Sequence, residues 1–119
     1  MNDVDDVDYS LPTGFDMAAY WADVRVRPLE TWLPALRAIQ GRHGLPEEEW
    51  HRFRRGRNVV VGLGEGLVVK LTPPIWRGDT GREAAAIRWV GGRLPVAVPA
   101  VVAMGAVGEW EYQVQRRLP

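Results

Sequence analysis

The spacing of apolar positions changes once along this chain, and the change divides it. Trp32, Leu33, Leu36 and Ile39 recur at helical intervals. Thr31 stands where a cap belongs, Pro34 would fall in the first turn, and Gly41 and Gly44 would end the helix. Pro46 followed by Glu47-Glu48-Glu49 predicts a one-turn helix start, because acids there oppose the positive end of a helix. The stretch 15–24 is mixed and fits either a short helix or an irregular lead-in. From residue 50 onward the pattern is one of short strands and glycine turns. Strands are predicted over 50–55, 59–63 and 67–72, separated by Gly56-Arg57-Asn58 and Gly64-Glu65-Gly66, which makes an antiparallel meander. Pro73-Pro74 stops it. A helix over 79–90 follows, ended by Gly91-Gly92, and then the extended connection Leu94-Pro95-Val96-Ala97-Val98-Pro99. A fourth strand is predicted over 100–104, a turn over 105–108, and a fifth strand over 110–115 with Trp110, Tyr112 and Val114 on one face.

This order implies an α+β domain: a five-stranded antiparallel sheet covered on one face by the central helix, with one or two short helices in front. At 119 residues the chain is read as a single core, burying about two-thirds of its unfolded surface. The 46% apolar and 25% charged composition is that of a globular protein, and with no cysteine, disulfides and thiolate metal sites are excluded. No apolar stretch reaches the roughly 18 residues of a membrane span, and the acidic start lacks a basic signal region, so a cytoplasmic location without membrane partners is expected. Residues 1–24 hold six acids and no base, leaving 15 bases against nine acids elsewhere, or plus six. The sequence thus divides into an acidic tail over 1–14 expected to be flexible, a helical leader over 15–49, and the sheet-forming part over 50–119.

One side chain stands out chemically. Lys70 is the only lysine beside 14 arginines, and it interrupts the apolar run Leu67-Val68-Val69-Lys70-Leu71. Strand alternation sends Leu67, Val69 and Leu71 to one face and Val68 with Lys70 to the other, leaving an ammonium on a semi-apolar surface. Such a group calls for a partner. Glu83, sharing a helix face with Ile87 and Val90 by i, i+4 and i+7 spacing, is the candidate. The bland reading of Glu83 is a capping box, since Thr80-Gly81-Arg82-Glu83 matches that pattern.

At this point the sequence resembles the amino-terminal lobe of the aminoglycoside phosphotransferase family, which has a protein-kinase-like fold. The resemblance rests on Gly56-Arg57-Asn58-Val59-Val60-Val61, Leu67-Val68-Val69-Lys70-Leu71-Thr72-Pro73-Pro74, Arg82-Glu83-Ala84-Ala85, Leu94-Pro95-Val96-Ala97-Val98-Pro99 and Glu109-Trp110-Glu111-Tyr112, in that order, over residues 50–119. It implies that Lys70 holds nucleotide phosphates and that Glu83 orients it. It further implies that Val68 packs on the base and that the Gly56-Arg57-Asn58 turn arches over the phosphates through its N–H groups. Gln115 would stand at the back of the base pocket, and the backbone of Arg116-Arg117-Leu118 would be the hinge that hydrogen-bonds adenine. ATP or GTP is the implied cofactor, with magnesium only where a carboxyl-terminal catalytic lobe is supplied in cis or in trans.

Gly62-Leu63-Gly64-Glu65-Gly66 looks like a phosphate loop but lies too close to Lys70 to leave room for the preceding hairpin, and Glu65 would repel phosphate; it reads as a plain turn. The sequence holds no His-Gly-Asp catalytic loop: His43-Gly44 is followed by Leu45, and His51 has no acidic partner in sequence. The chain is therefore expected to be a nucleotide-binding lobe without transfer activity of its own. Two other classes compete. Arg52, Arg54, Arg55 and Arg57 interleaved with Trp50 and Phe53 could track nucleic acid, against which zero net charge and the acidic tail weigh. A non-catalytic interaction domain with the lobe fold would expose an apolar face and self-associate.

Overall fold

The computed structural model describes residues 9–54, 56–76, 81–82, 85–87 and 100–117. Helix α1 (Met17–Ala19) is capped by Asp16, whose carboxylate accepts from the Ala19 N–H at 2.8 Å, and it runs directly into a π-helical turn, Tyr20–Val24. Helix α2 (Leu29–His43) follows. The strands are β1 (Trp50–Phe53), β2 (Val59–Leu63), β3 (Leu67–Thr72), β4 (Val101–Val107) and β5 (Trp110–Arg116), with a 3-10 turn at Pro74–Trp76. They form one antiparallel sheet in the order β1-β2-β3-β5-β4, so β5 lies between β3 and β4. The α+β class and the five-stranded sheet are those the sequence predicts. Among the described residues no helix is long and apolar enough to cross a membrane.

One face of the sheet is the core. Register places Val59, Val61 and Leu63 beside Leu71, Val69 and Leu67, and these beside Tyr112, Val114 and Arg116. The inward residues of β2, Val69, Leu71, Trp110, Tyr112 and Val114 are all fully buried. Helix α2 covers this face. Its stripe of Trp32, Ala35, Leu36 and Ile39 is fully buried, and the Trp32 ring meets Trp110 edge-on at 5.2 Å. At the far end of α2, Arg42 donates to the Ala106 carbonyl at 2.7 Å and to the Tyr112 hydroxyl at 3.1 Å, while His43 Nε2 lies 2.6 Å from that hydroxyl. The leader therefore shares the core of the sheet. The helix predicted over 79–90 is described only at 81–82 and 85–87, where it is helical.

Several boundaries differ from the sequence reading. Helix α2 begins at Leu29 with Pro28 at its cap position, because the Pro28 carbonyl already accepts from the Thr31 N–H at 3.0 Å. Pro34 thus falls in the second turn, where the missing donor is that of the solvent-facing Glu30 carbonyl. Gly41 is inside the helix, and Gly44 ends it at φ 60°, a left-handed conformation that suits glycine. The Glu47-Glu48-Glu49 segment has no regular secondary structure rather than a helical turn: the Pro46 carbonyl accepts from the Gln40 amide at 2.8 Å and from the Glu48 N–H at 3.1 Å, and the Glu49 carbonyl accepts from the Gly64 N–H at 2.8 Å. Strand β1 ends at Phe53, with Arg55 outside the described residues. Strand β4 runs on through Gly105, where the Tyr112 ring lies so close that a Cβ would meet its hydroxyl at 2.7 Å; the chain turns only at Gly108. Within the tail expected to be flexible, Tyr9 is 8% exposed in the core and the Pro12 carbonyl accepts from Trp110 Nε1 at 2.8 Å. Those residues are docked because Trp110 needs an acceptor for its buried N–H.

Replacing Trp32 by Ala removes the aromatic wedge between leader and sheet. Urea unfolding is expected to show a loss of about 3–5 kcal/mol with the cooperative transition retained.

Candidate functional site

The core face is occupied by α2, and the candidate polar side chains of the sheet lie on the opposite face. The register brings there His51 and Phe53 from β1, Val60 and Gly62 from β2, Val68, Lys70 and Thr72 from β3, and Glu111, Gln113 and Gln115 from β5. Lys70 stands half-buried between Val60 and Gln113, and Val68 between Gly62 and Gln115. Gln113 is 1% exposed, Thr72 and Gln115 are also buried, and the Gln115 amide donates to Gln113 Oε1 at 2.5 Å. Gln113 Nε2 is buried without a hydrogen-bond partner. This is a polar strip through the middle of a sheet, the reverse of the apolar core face. Gly62 is needed where it is, since the His51 and Phe53 rings cross it and a Cβ would lie 2.3 Å from His51 Nε2.

A cavity of about 480 Å³ opens on this face, lined by Phe53, Gly56, Val60 and Arg117. Its volume lies in the usual range for small-molecule sites. Val60 is the residue directly opposite Lys70 in the ladder. The Arg117 guanidinium reaches over the Phe53 ring at 5.0 Å, so one wall is built across the sheet from the end of β5 to β1.

The turn at Gly56 is held from the leader side. Gly56 has φ 76°, which favours glycine. Its carbonyl accepts from Arg25 Nη1 at 3.2 Å, and the Arg57 carbonyl accepts from the Tyr20 hydroxyl. The Arg57 guanidinium stacks on Trp76 at 4.6 Å, and Trp76 packs edge-on against Tyr20 at 5.1 Å. The Asn58 amide donates to Thr72 Oγ1 at 2.8 Å, closing the β2–β3 end. Tyr20 itself is fully buried, and burial pushes its phenol up to about 12 against the opposing pull of Arg25, Arg52 and Arg57.

Of the residues singled out from sequence, Lys70, Val68 and Gln115 share one face, and Gly56 lines the cavity beside it. Two side chains of the turn, Arg57 and Asn58, are spent on Trp76 and Thr72, so their side chains are not the contribution expected of a phosphate loop; only its main chain is. Of the backbone expected to act as a hinge, the Arg116 N–H donates to the Ala100 carbonyl and the Arg117 N–H to the Gly66 carbonyl, both at 2.9 Å, so these two N–H groups are engaged within the fold. Glu83 and Leu118 lie outside the described residues. Sequence reasoning missed Val60, Phe53 and the Arg117 side chain as cavity walls. The alternation rule would have found the first two, since both share the Lys70 face once the β1–β2 register is known.

Of the arginine stripe that suggested nucleic acid, Arg55 lies outside the described residues, and the described members are engaged within the fold. Arg52 points to the core side, donating to the carbonyls of Phe53, Val60 and Arg25, with burial pulling its guanidinium below the usual arginine range. Arg54 donates to the Val26 carbonyl at 3.4 Å, and Arg57 is stacked on Trp76.

No protein-family model matches the chain, and no curated protein matches it.

The Tyr20 phenol carries a pH prediction. Its proton is held in the folded state up to about 12, whereas in the unfolded chain it leaves near the ordinary value of 10. Between these values the folded chain binds more protons, so its stability falls as pH rises. Denaturant unfolding from pH 9 to 12 is expected to show this fall in the native sequence and a shallower one in Tyr20→Phe.

Proposed function

We propose that the chain is a nucleotide-binding lobe of a small-molecule phosphotransferase, holding ATP or GTP on the Lys70 face of the sheet. The observation that carries this reading is the cavity beside Lys70, walled by the residue opposite the lysine and by the glycine turn. Its layout also follows the polarity of a nucleotide. Phe53 and Val60 of its lining offer apolar contact for a base, and Arg117 offers a guanidinium. Gly56 lines it from the glycine turn, and Lys70, across the ladder from the lining residue Val60, is the charge for phosphate in this reading. The resemblance of residues 50–119 to the aminoglycoside phosphotransferase lobe assigns the same order of parts along the chain.

In this reading Lys70 is the charge that binds phosphate and Glu83 is its orienting acid. Val60 and Val68 are the apolar floor beneath the base, and Phe53 with Arg117 closes its outer side. Magnesium and the acceptor-activating base belong to a catalytic lobe acting in cis or in trans, because the 119 residues contain no His-Gly-Asp motif to supply them. The proposal includes a cytoplasmic setting, where nucleoside triphosphates are held. It also includes the absence of turnover by the isolated chain.

The test is titration of the isotopically labelled chain with ATP and magnesium, followed by amide shifts. Changes are expected at Gly56, Val60 and Val68, and Lys70→Met should weaken binding by about 10- to 100-fold, the value of a charge-assisted hydrogen bond. Shifts confined to the surface arginines, abolished by moderate salt, would favour nucleic-acid-type binding instead.

A further inference from the structure

We infer that the leader is part of the proposed nucleotide site: Tyr20 and Arg25 position the Gly56-Arg57-Asn58 turn so that its main-chain N–H groups face the phosphates. This inference rests on the reading of the Lys70 face as a nucleotide site, and it assigns a role to residues outside the stretch that resembles a phosphotransferase lobe.

The described chain has no cis peptide bond, and in a planar trans peptide the C=O of one residue and the N–H of the next point in opposite directions. The Gly56 carbonyl is drawn to Arg25 and the Arg57 carbonyl to Tyr20. Both anchors come from the π-helical turn and the residue after it, on the core side of the sheet. The N–H groups of Arg57 and Asn58 are therefore both turned away from the leader, and Gly56 of the same turn lines the cavity. Two successive N–H groups on one side of a turn make an anion-binding concavity, and Gly56 at φ 76° supplies the left-handed residue such a concavity uses.

The side chains of the turn reinforce this. The Arg57 guanidinium lies on Trp76 and the Asn58 amide on Thr72, so both leave the anion to the main chain. Tyr20 is the centre of the arrangement. Its ring contacts Phe15, Trp21 and Trp76 at 6.0, 5.6 and 5.1 Å, and it is fully buried, so its hydroxyl is delivered to Arg57 from a packed position. Tyr20 and Arg25 are not lining residues of the cavity and bond to the Arg57 and Gly56 carbonyls, which makes them positioning residues.

The experiment compares ATP and adenosine binding to the full chain by NMR titration, for the native sequence and for Tyr20→Phe, with thermal unfolding recorded for each. Removal of one neutral hydrogen bond is expected to weaken ATP about fivefold, equivalent to about 1 kcal/mol, and to leave adenosine unchanged, because adenosine lacks the phosphates that the turn faces. Arg25→Met, which removes the bond to Gly56, is expected to give the same ATP-selective loss and serves if Tyr20→Phe does not fold. Equal loss for ATP and adenosine, or no loss for either, in a folded variant would overturn the positioning role while leaving the nucleotide site standing. Failure of the native chain to bind ATP at all would overturn the site itself and this inference with it.

Discussion

The packing of Trp32 against Trp110 is the contact on which the rest of the molecule depends. It joins the leader helix to the central part of the sheet through two rings that are both fully removed from water. Tryptophan supplies more apolar area than any other side chain. Here it also fixes orientation: Trp110 anchors Pro12 through its N–H, and Trp32 brings Ala35, Leu36 and Ile39 onto β3 and β5. Helix α2 is helical in pattern but carries Pro34 and Gly41, so its intrinsic propensity is modest. Its stability comes from what it covers.

Covering one face decides what the other can be. A small sheet that buries Val59, Val61, Val69, Leu71, Tyr112 and Val114 against a helix has its apolar requirement met on that side. The opposite face is free to carry Thr72, Lys70, Gln113, Gln115 and Glu111 in adjacent register positions. A buried amide such as Gln113 Nε2 without a partner costs stability, and such costs are tolerated where a face serves binding. The cavity lined by Phe53, Gly56, Val60 and Arg117 belongs to that same face.

The leader has a second task besides covering the sheet. Arg52 reaches from β1 to the Arg25 carbonyl, Arg25 reaches to Gly56, and Tyr20 reaches to Arg57. These three links converge on the β1–β2 hairpin from the core side. A turn that faces an anion works best when its N–H groups are fixed in advance, because ordering them at the moment of binding would subtract from affinity. In the proposed reading the same few residues would both pack and position.

Local sequence determined the strands most fully. The alternation in 59–63 and 67–72 matches β2 and β3 residue for residue, because each is bounded by glycine or proline and each has one strictly apolar face. The same alternation marked Lys70 as lying on the opposite face from Leu67, Val69 and Leu71, and the ladder places it there. Sequence reading assigned the covering role to the helix over 79–90, whereas the helix seen on the core face is α2, whose Trp32 packs against Trp110; the pairing of those two rings is not visible in local spacing. Nor could it show that the Arg57 and Asn58 side chains and the Arg116 and Arg117 amides are consumed within the fold. Those partners, Trp76, Thr72, Ala100 and Gly66, come together only when distant strands pair. Periodicity is a property of neighbours along the chain and survives in the sequence, whereas the spending of a hydrogen-bonding group depends on who arrives across the sheet.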